Sequence, residues 1–252
     1  FINTPKADGS AATDEELLGL IISLLFAGHE TTAGQAAWTI IHLLQHPDYL
    51  AKVQAEIVAN FPHGAPINAR AMASLRYVKW AIDDTPRLRP SADIMIRVAD
   101  EDIVVGEYRI PKGAPVFITA EVSHFLPEVF PEPEKYNPER FSSEQCTHKD
   151  HKNAIIGFGG GVHKCPGMNF ALNEMLTITT LLLQAFDLTL ETPDPQLRRD
   201  LGANRPTETW VSYKRKPVSE AVPEEVMQAA VAAGCPHMAK AMAARALAQV
   251  EA

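Results

Sequence analysis

The chain has 252 residues, of which 46% are hydrophobic and 21% are charged, a balance typical of a soluble globular protein. Its length allows one sizeable core or two small ones. The formal net charge of −8 argues against a nucleic-acid partner, because binding to phosphates requires clustered positive charge.

The cysteines and the apolar segments indicate the compartment. The spacing of Cys146, Cys165 and Cys235 suggests no disulfide framework and fits a reducing compartment such as the cytoplasm. The longest apolar run, residues 17–28, is too short to span a bilayer. No signal peptide or membrane anchor is visible. The chain opens on Phe1, so we expect an N-terminal portion to precede it, and a membrane anchor on that portion is left open.

Helices dominate the first third of the chain, after a loop at residues 1–12. Thr13 and Glu16 form a capping-box signature, which predicts a helix that begins there and runs to about Gln45. The first half of this helix is apolar on nearly every side, so we expect it to be buried in a core. Further helices are predicted at residues 48–59, 75–88 and 168–185.

The middle of the chain alternates short Val- and Ile-rich segments with turn residues, which predicts a small sheet at residues 93–98, 102–105, 107–110 and 115–119. A Pro-rich stretch, residues 127–138, can hold little regular structure. Strands near residues 186–191 and 209–214 are predicted to form a late hairpin. The fold class is therefore mainly α with a small β region, an α+β pattern. Two units are expected: a main domain at residues 1–216 and an Ala-rich helical tail of unknown role at residues 217–252.

A glycine-rich loop from Phe158 to Gly167 contains one cysteine and is the most informative segment. Its three consecutive glycines allow a tight bend and a close approach of the backbone to a flat ligand. Cys165 lies just before an apolar helix, and a helix N-terminus stabilises a thiolate through unpaired N–H groups and the positive end of the helix dipole. A soft, anionic sulfur in this place is a suitable ligand for iron. The alternative is a glycine-rich turn with a buried structural cysteine.

A second motif lies inside the first long helix, where Ala27 and Gly28 are soon followed by Glu30 and Thr31. The two small residues leave space beside the helix for the face of a flat cofactor and a diatomic ligand. A Thr hydroxyl can bond to a carbonyl one turn earlier and open the helix locally. Glu30 and Thr31 are therefore candidates for delivering protons, which is a positioned acid–base role. The alternative is a solvated polar patch on an amphipathic helix.

Both motifs resemble those of the cytochrome P450 superfamily. The family's oxygen-binding helix matches residues 27–32, and its haem-binding signature matches Phe158, Gly161, His163, Cys165 and Gly167. The resemblance extends over roughly residues 13–216, and family members have a further N-terminal half. It implies the P450 fold, with haem b bound by Cys165 as the axial iron ligand and His163 near a haem carboxylate. It also implies a monooxygenase, an oxidoreductase that inserts one oxygen atom from O2 into its substrate.

Four further positions resemble structural elements of the family. Asp84 and Arg87 stand where the family has a Glu-x-x-Arg pair on a helix, and Arg140 matches its downstream partner arginine. Asp84 is one methylene shorter than the usual Glu, and Pro86 removes a helix hydrogen bond at a cost of roughly 3 kcal/mol. We therefore expect reduced stability or weakened haem retention. Arg97 falls on a strand where the family often places a partner of a haem propionate.

The resemblance also implies partners. Electrons are expected from a ferredoxin or a flavoprotein reductase, which would dock near Lys149, Lys152 and Lys164. A lipophilic substrate, such as a sterol, a terpenoid or a fatty acid, is expected in an apolar pocket. The predicted pocket residues are Leu24, Ala27, Ile94 and Met95. Residues 38–41, 94–99 and 123–130 look most like the sterol 14α-demethylase branch of the family.

Other readings remain open at this point. A haem-thiolate protein can also act as a peroxygenase or an isomerase that does not use O2, or the chain can be a non-catalytic fragment. A zinc-binding module is a remote alternative, because several soft ligands are available: Cys146, His148, His151, His163 and Cys165. Their spacing matches no compact zinc motif, and this reading leaves residues 27–32 unexplained.

Overall fold

Helices supply most of the regular structure in the computed structural model, which describes residues 4–61, 65–145, 148–151, 153–199 and 203–216. The α-helices of this part of the chain are α1 (Asp14–Gln45), α2 (Pro47–Asn60), α3 (Ala69–Met72), α4 (Tyr77–Leu88), α5 (Ala120–His124) and α6 (Met168–Ala185). The four long helices were predicted within a few residues of these bounds. The short helices α3 and α5 were not predicted.

Local signals explain where α1 and α2 begin and where α4 ends. The Thr13 hydroxyl accepts a hydrogen bond from the Glu16 N–H, and the Glu16 carboxylate accepts one from the Thr13 N–H, so the predicted capping box is present. Pro47 opens α2 directly after α1. Helix α4 continues through Pro86 and ends two residues later, so the proline bends no long helical segment.

The strands pair two by two, all antiparallel: β1 (Ile94–Val98) with β4 (Pro115–Thr119), β2 (Ile103–Val105) with β3 (Tyr108–Ile110), β5 (Phe186–Leu190) with β8 (Val211–Arg215), and β6 (Leu197–Arg198) with β7 (Arg205–Pro206). The predicted late hairpin is confirmed as the β5–β8 pair. The prediction of one small sheet from the middle four segments was wrong. Gly106, at φ +58°, closes a tight turn that pairs β2 only with β3.

The core lies between the second half of α1 and helices α2, α4 and α6. Its fully buried side chains include Trp38, Leu43, Val53, Val78 and Met175. This packing fixes α6 against α1, and the loop before α6 is thereby held at one end of the helical core.

The first half of α1 is exposed, and the prediction that it is buried in a core was wrong. Leu25 is 68% exposed and Phe26 78%, whereas the buried residues of this helix begin at Thr32. The described elements that pack on α1 cover only its second half, so an apolar sequence alone did not ensure burial. By length and composition α1 is apolar enough to cross a membrane, with a mean hydropathy of 1.3 over its most apolar window, a test that core helices and signal sequences also pass.

The predicted Ala-rich tail at residues 217–252 lies outside the described residues.

Candidate functional site

The glycine-rich loop places Cys165 directly before α6. The Cys165 N–H donates to the Phe158 carbonyl at 2.8 Å, which closes the loop, and the Gly159 N–H donates to the Ile156 carbonyl at 2.7 Å. Residues Gly161–His163 form one turn of 3-10 helix inside it. Cys165 therefore lies at the end of a short, hydrogen-bonded loop, directly before the N-terminus of α6.

Two glycines of the loop adopt a left-handed backbone, Gly159 at φ +71° and Gly161 at φ +59°. A Cβ atom at Gly159 would lie 2.8 Å from the His163 carbonyl oxygen, which is closer than real Cβ contacts, so only glycine fits there. A Cβ atom at Gly161 would meet nothing within 4 Å, so this glycine faces open space. Gly159 is therefore required for the tight turn, and Gly161 leaves one face of the loop open.

The free face has the chemistry that a haem-thiolate site requires. The Cys165 thiol is exposed and forms no disulfide, and His163 in the same loop is also exposed. Val162 of the loop and Phe170 on the first turn of α6 are apolar and exposed, at 95% and 76%. A single soft donor at a helix N-terminus, with exposed apolar side chains in the same segment, fits a flat apolar metal cofactor better than a hydrated metal ion.

Helix α1 carries the second motif at Ala27–Thr31. The Thr31 hydroxyl donates to the Ala27 carbonyl at 2.7 Å and also lies 3.4 Å from the Gly28 carbonyl. The predicted back-bond of the threonine is therefore present, but α1 stays α-helical through this point and is not opened. A Cβ atom at Gly28 would meet nothing within 4 Å, so the helix has free space on that side.

Glu30 has an ionic partner that sequence reasoning missed. Its Oε1 atom lies 3.6 Å from Nη1 of Arg205 on β7, and both side chains are partly exposed. Gly34, one turn further along α1, makes the approach possible, because a Cβ atom there would lie only 3.0 Å from the Asn204 carbonyl oxygen. A glycine inside a helix was the one sequence signal for this close packing.

Asp84 and Arg87 form a fully buried ion pair on α4. The Arg87 Nε atom lies 2.6 Å from Asp84 Oδ1, and neither side chain is exposed. The other carboxylate oxygen of Asp84 accepts from the Asn137 N–H at 2.8 Å, and Arg140 Nε lies 3.4 Å from Oδ1. The shorter acid is therefore accommodated, because the segment around Asn137 supplies a backbone donor directly.

Backbone carbonyls accept hydrogen bonds from the Nη atoms of the two arginines. Arg87 donates to the carbonyls of His124, Pro133 and Lys135. Arg140 donates to the carbonyls of Pro131, Glu132 and Lys135. The Pro-rich stretch, which holds little regular structure, is thus fixed by two guanidinium groups. His124, which the sequence analysis did not single out, is part of the same cluster.

The remaining predicted residues are not gathered into one enclosed pocket. Arg97 on β1 is half-buried and donates to the Ile96 carbonyl at 2.8 Å. Leu24 is 43% exposed and Ile94 54%, and Met95 is half-buried. Their assignment to a haem propionate and to a substrate pocket stays a prediction.

A cleft of about 810 Å³ lies elsewhere, between the second half of α1, the end of α6 and strands β5, β7 and β8. Its lining is mostly apolar and includes Ile40, Ile178, Leu182 and Leu188. None of its lining residues belongs to either motif, although Ala36 of the lining lies only five residues beyond Thr31 on α1.

Two further predictions depend in part on residues outside the described ones. Lys149 and Lys164 are exposed, and Lys152 is not among the described residues. Cys146 of the zinc alternative is likewise outside them. Within the described part of the chain, no group of three or more His, Cys, Asp or Glu side chains is placed to hold a metal ion, so the structure gives the zinc alternative no support.

Comparison with known proteins identifies relatives over most of the chain. The sequence model of one family, cytochrome P450, matches residues 1–209. A sterol 14α-demethylase of Mycolicibacterium vanbaalenii is 34% identical over 201 residues, which are 79% of this chain and 44% of the relative. Cytochrome P450 3A29 of Sus scrofa is 38% identical over 176 residues, which are 69% of this chain and 34% of the relative.

A solved structure shows the same fold. The crystal structure of the cytochrome P450DA heme domain superposes with a TM-score of 0.80 at 28% sequence identity, covering 85% of this chain and 47% of that one. The chain thus spans less than half the length of these relatives.

Proposed function

Because the chain belongs to the cytochrome P450 family, we propose that it forms the cysteine-ligand and oxygen-side part of a haem-thiolate monooxygenase. The observation that carries the proposal is the exposed Cys165 thiol, held by a glycine turn at the N-terminus of α6. A thiolate bound to iron at this position would lie near the positive end of the α6 dipole.

The proposed cofactor is haem b, with Cys165 as its axial ligand. The loop fits haem through its soft donor, the open space at Gly161 and the apolar surface of Val162 and Phe170. His163 and Arg97 are the proposed partners of the haem carboxylates. When bound, the haem supplies the activation of O2 and the transfer of one oxygen atom to a substrate C–H bond.

The proposed roles of the α1 motif concern space and protons. Ala27 and Gly28 leave room beside the helix, since a Cβ atom at Gly28 meets nothing within 4 Å. The Thr31 hydroxyl donates to the Ala27 carbonyl at 2.7 Å, and its oxygen can accept a hydrogen bond from a neighbour at the same time. Glu30, whose carboxylate lies 3.6 Å from the Arg205 guanidinium, can pass protons between solvent and the interior of the site.

A lipophilic substrate and an external electron donor complete the proposal. The named activity of the Mycolicibacterium vanbaalenii relative supports a sterol or a similarly apolar molecule, with Leu24, Ala27, Ile94 and Met95 as proposed contacts. A ferredoxin or a flavoprotein reductase would dock on the cysteine side near Lys149, Lys152 and Lys164, as basic groups on an acidic protein. The proposed compartment is the cytoplasm, and residues 1–216 are proposed to be the C-terminal part of a haem domain.

Isotope labelling tests the reaction class. The haem-loaded protein is supplied with a ferredoxin and its reductase, NADPH, ¹⁸O2 and a panel of sterols and fatty acids. The proposal predicts a product with one ¹⁸O atom that forms only when electrons are supplied. Product formed from hydrogen peroxide but not from O2 would favour the peroxygenase alternative and contradict the role of Glu30 and Thr31.

The same assay tests the electron donor. Reversing the charge of Lys149 and Lys164 to Glu is expected to slow reduction of the haem without changing the oxidised spectrum. Reversal of Lys52 is the control, because this lysine pairs with Glu139, away from the cysteine loop along the chain. An unchanged reduction rate in the double variant would contradict the proposed docking surface.

A further inference from the structure

His124 connects two parts of the molecule that the sequence gives as separate motifs. It is the last residue of α5, and its side chain is fully buried. On one side lies the buried Asp84–Arg87 ion pair of α4, and on the other the segment that leads into the cysteine loop.

The contact with α4 is reciprocal. The Nδ1 atom of His124 lies 3.1 Å from the Arg87 carbonyl oxygen, and Nη1 of Arg87 donates to the His124 carbonyl at 3.2 Å. Each residue therefore fixes the backbone of the other. Since Arg87 is held in turn by Asp84 at 2.6 Å, the imidazole has a rigid support.

The contact with the loop goes through the second ring nitrogen. The Ile156 N–H donates to His124 Nε2 at 3.1 Å, and a Cβ atom at Gly157 would lie 3.6 Å from the Cε1 atom of the ring. Ile156 also accepts the Gly159 N–H at 2.7 Å, and Phe158 accepts the Cys165 N–H at 2.8 Å. The imidazole therefore holds the Ile156 backbone, and hydrogen bonds to the carbonyls of Ile156 and Phe158 connect this segment to the cysteine.

These contacts require one neutral tautomer. A ring nitrogen that accepts from an N–H carries no proton, so Nε2 is unprotonated, and Nδ1 carries the proton that it donates to the Arg87 carbonyl. Burial lowers the pKa of His124 to about 4. The hydrogen bond to the Arg87 carbonyl raises this pKa, and the nearby Arg87 charge lowers it further. The imidazole is therefore neutral at physiological pH, as the two hydrogen bonds demand.

We propose that His124 is a positioning residue for the haem thiolate, which fixes the Ile156–Phe158 backbone against α4 and thereby the place of Cys165. This inference rests on the proposed haem-thiolate function. The Nε2 atom of His124 holds the loop by accepting the Ile156 N–H, so the size of the ring alone is not sufficient. Without this acceptor the Ile156 N–H, which points at a fully buried ring, would lose its hydrogen-bond partner.

Two substitutions separate the two ring nitrogens. His124→Asn places an amide donor near the position of Nδ1, so it keeps the bond to Arg87 and loses the acceptor for Ile156. His124→Gln places a carbonyl oxygen near the position of Nε2, so it keeps the acceptor and loses the bond to Arg87. His46→Asn is the control, because His46 Nδ1 makes a similar contact to the His42 carbonyl at 2.7 Å on α1, outside the loop.

Two readouts are measured on each variant. The first is hydrogen exchange of the Ile156 amide, which does not depend on haem. The second is the share of the ferrous carbon monoxide complex with the red-shifted Soret band of a thiolate ligand. For His124→Asn we expect exchange about tenfold faster or more, as for a lost buried hydrogen bond, and a reduced share of the red-shifted complex. His124→Gln and the control should stay close to the unmodified protein in both readouts.

Three outcomes would overturn the proposal. One is unchanged exchange and an unchanged spectrum in His124→Asn. Another is equal loss in the Asn and Gln variants, which would mean that the ring acts only by filling space. The third is faster exchange with an unchanged spectrum, which would separate the loop contact from the thiolate. A red-shifted band missing from the unmodified, haem-loaded protein would instead contradict the proposed function, and Ile156 exchange would still decide the loop contact.

Discussion

The two halves of α1 have similar apolar content and opposite surroundings. Leu43 in the second half is fully buried among α2, α4 and α6, whereas Leu25 in the first half is 68% exposed. The same contrast separates the two sides of the site. The cysteine side is joined to α4 through His124, which bonds to the Arg87 carbonyl and accepts from the Ile156 N–H. The Ala27–Thr31 side has open space beside Gly28.

The buried contacts of the described fold are concentrated on the second half of α1 and on helices α2, α4 and α6. Contacts that bury apolar area and satisfy charges lie around α4 and α6, and changes there should affect folding. The first half of α1 carries the Ala27–Thr31 motif, and few of the described elements pack against it. An apolar surface of this kind is typical of an interaction site. Substitutions in the two regions therefore should have very different effects.

The largest effect is expected from Arg87→Ala. The substitution leaves the Asp84 carboxylate buried without its closest cation, which should lower the free energy of unfolding by about 3–5 kcal/mol. Urea denaturation followed by circular dichroism measures it. Lys52→Ala is the matched control, since it breaks an exposed pair with Glu139 and should cost at most about 1 kcal/mol. An equal decrease in the free energy of unfolding in both variants would contradict the expectation that the buried ion pair stabilises the fold more than the exposed one.

A pair of substitutions within α1 tests the comparison directly. Leu43→Ala removes a fully buried side chain and should cost about 2–5 kcal/mol. Leu25→Ala removes an exposed one and should change the free energy of unfolding by less than about 0.5 kcal/mol. Thermal or chemical denaturation of the two variants gives both values. A large loss for Leu25→Ala would show that the first half of α1 is covered in solution.

Acid sensitivity should arise from the buried histidines of the core. Burial, and then the charge of Arg89, lowers the pKa of His42 to about 3, below its ordinary value of about 6.5 in an unfolded chain. Between these two values the unfolded chain binds more protons, so the folded state loses stability as the pH falls. His42→Phe should keep the stack with Trp38 and Tyr136 and reduce the loss between pH 7 and pH 4 by about 2–3 kcal/mol.

Denaturation of both proteins across this pH range measures the effect. His124, with its pKa of about 4, should account for a remaining slope in the variant. The same pH dependence in His42→Phe and in the unmodified protein would show that other groups cause the acid loss.

The smallest effect is expected at Asp83, beside the ion pair on α4. Burial raises its pKa to about 6, with Lys79 acting against the shift and the Asp84 charge adding to it. The folded state therefore binds the proton more tightly between about pH 4 and pH 6, and its stability falls as the pH rises through that range. Asp83→Asn should remove this dependence and raise the free energy of unfolding at pH 7 by about 1 kcal/mol, because the side chain is only half-buried. A lower stability of Asp83→Asn at pH 7 would contradict the assignment.

Much of the fold was predictable because local signals were strong. The capping box at Thr13, Pro47 and the apolar run after Gly167 define α1, α2 and α6 within a few residues. The cysteine loop was found because it needs residue types at fixed spacing. Burial along α1 was not predictable, since periodicity reports which side chains are apolar and not which elements cover them.

Long-range partners were beyond the sequence for the same physical reason. Arg205 approaches Glu30 only because Gly34 lets β7 come close to α1. His124 lies on a five-residue helix between a strand and a Pro-rich stretch, and nothing local marks its bond to Ile156. The Asp84–Arg87 pair was found from the motif, but the Asn137 donor that accommodates the shorter acid was visible only in the structure.

The carbon monoxide difference spectrum of the reduced, haem-loaded protein, compared with that of Cys165→Ala, tests most directly whether Cys165 binds the haem iron. If the exposed thiol before α6 is the proposed axial ligand, the unmodified protein should show a strongly red-shifted Soret band and the variant should lose it. A red-shifted band that persists in Cys165→Ala, or bound haem without this band in the unmodified protein, would rule out Cys165 as the ligand.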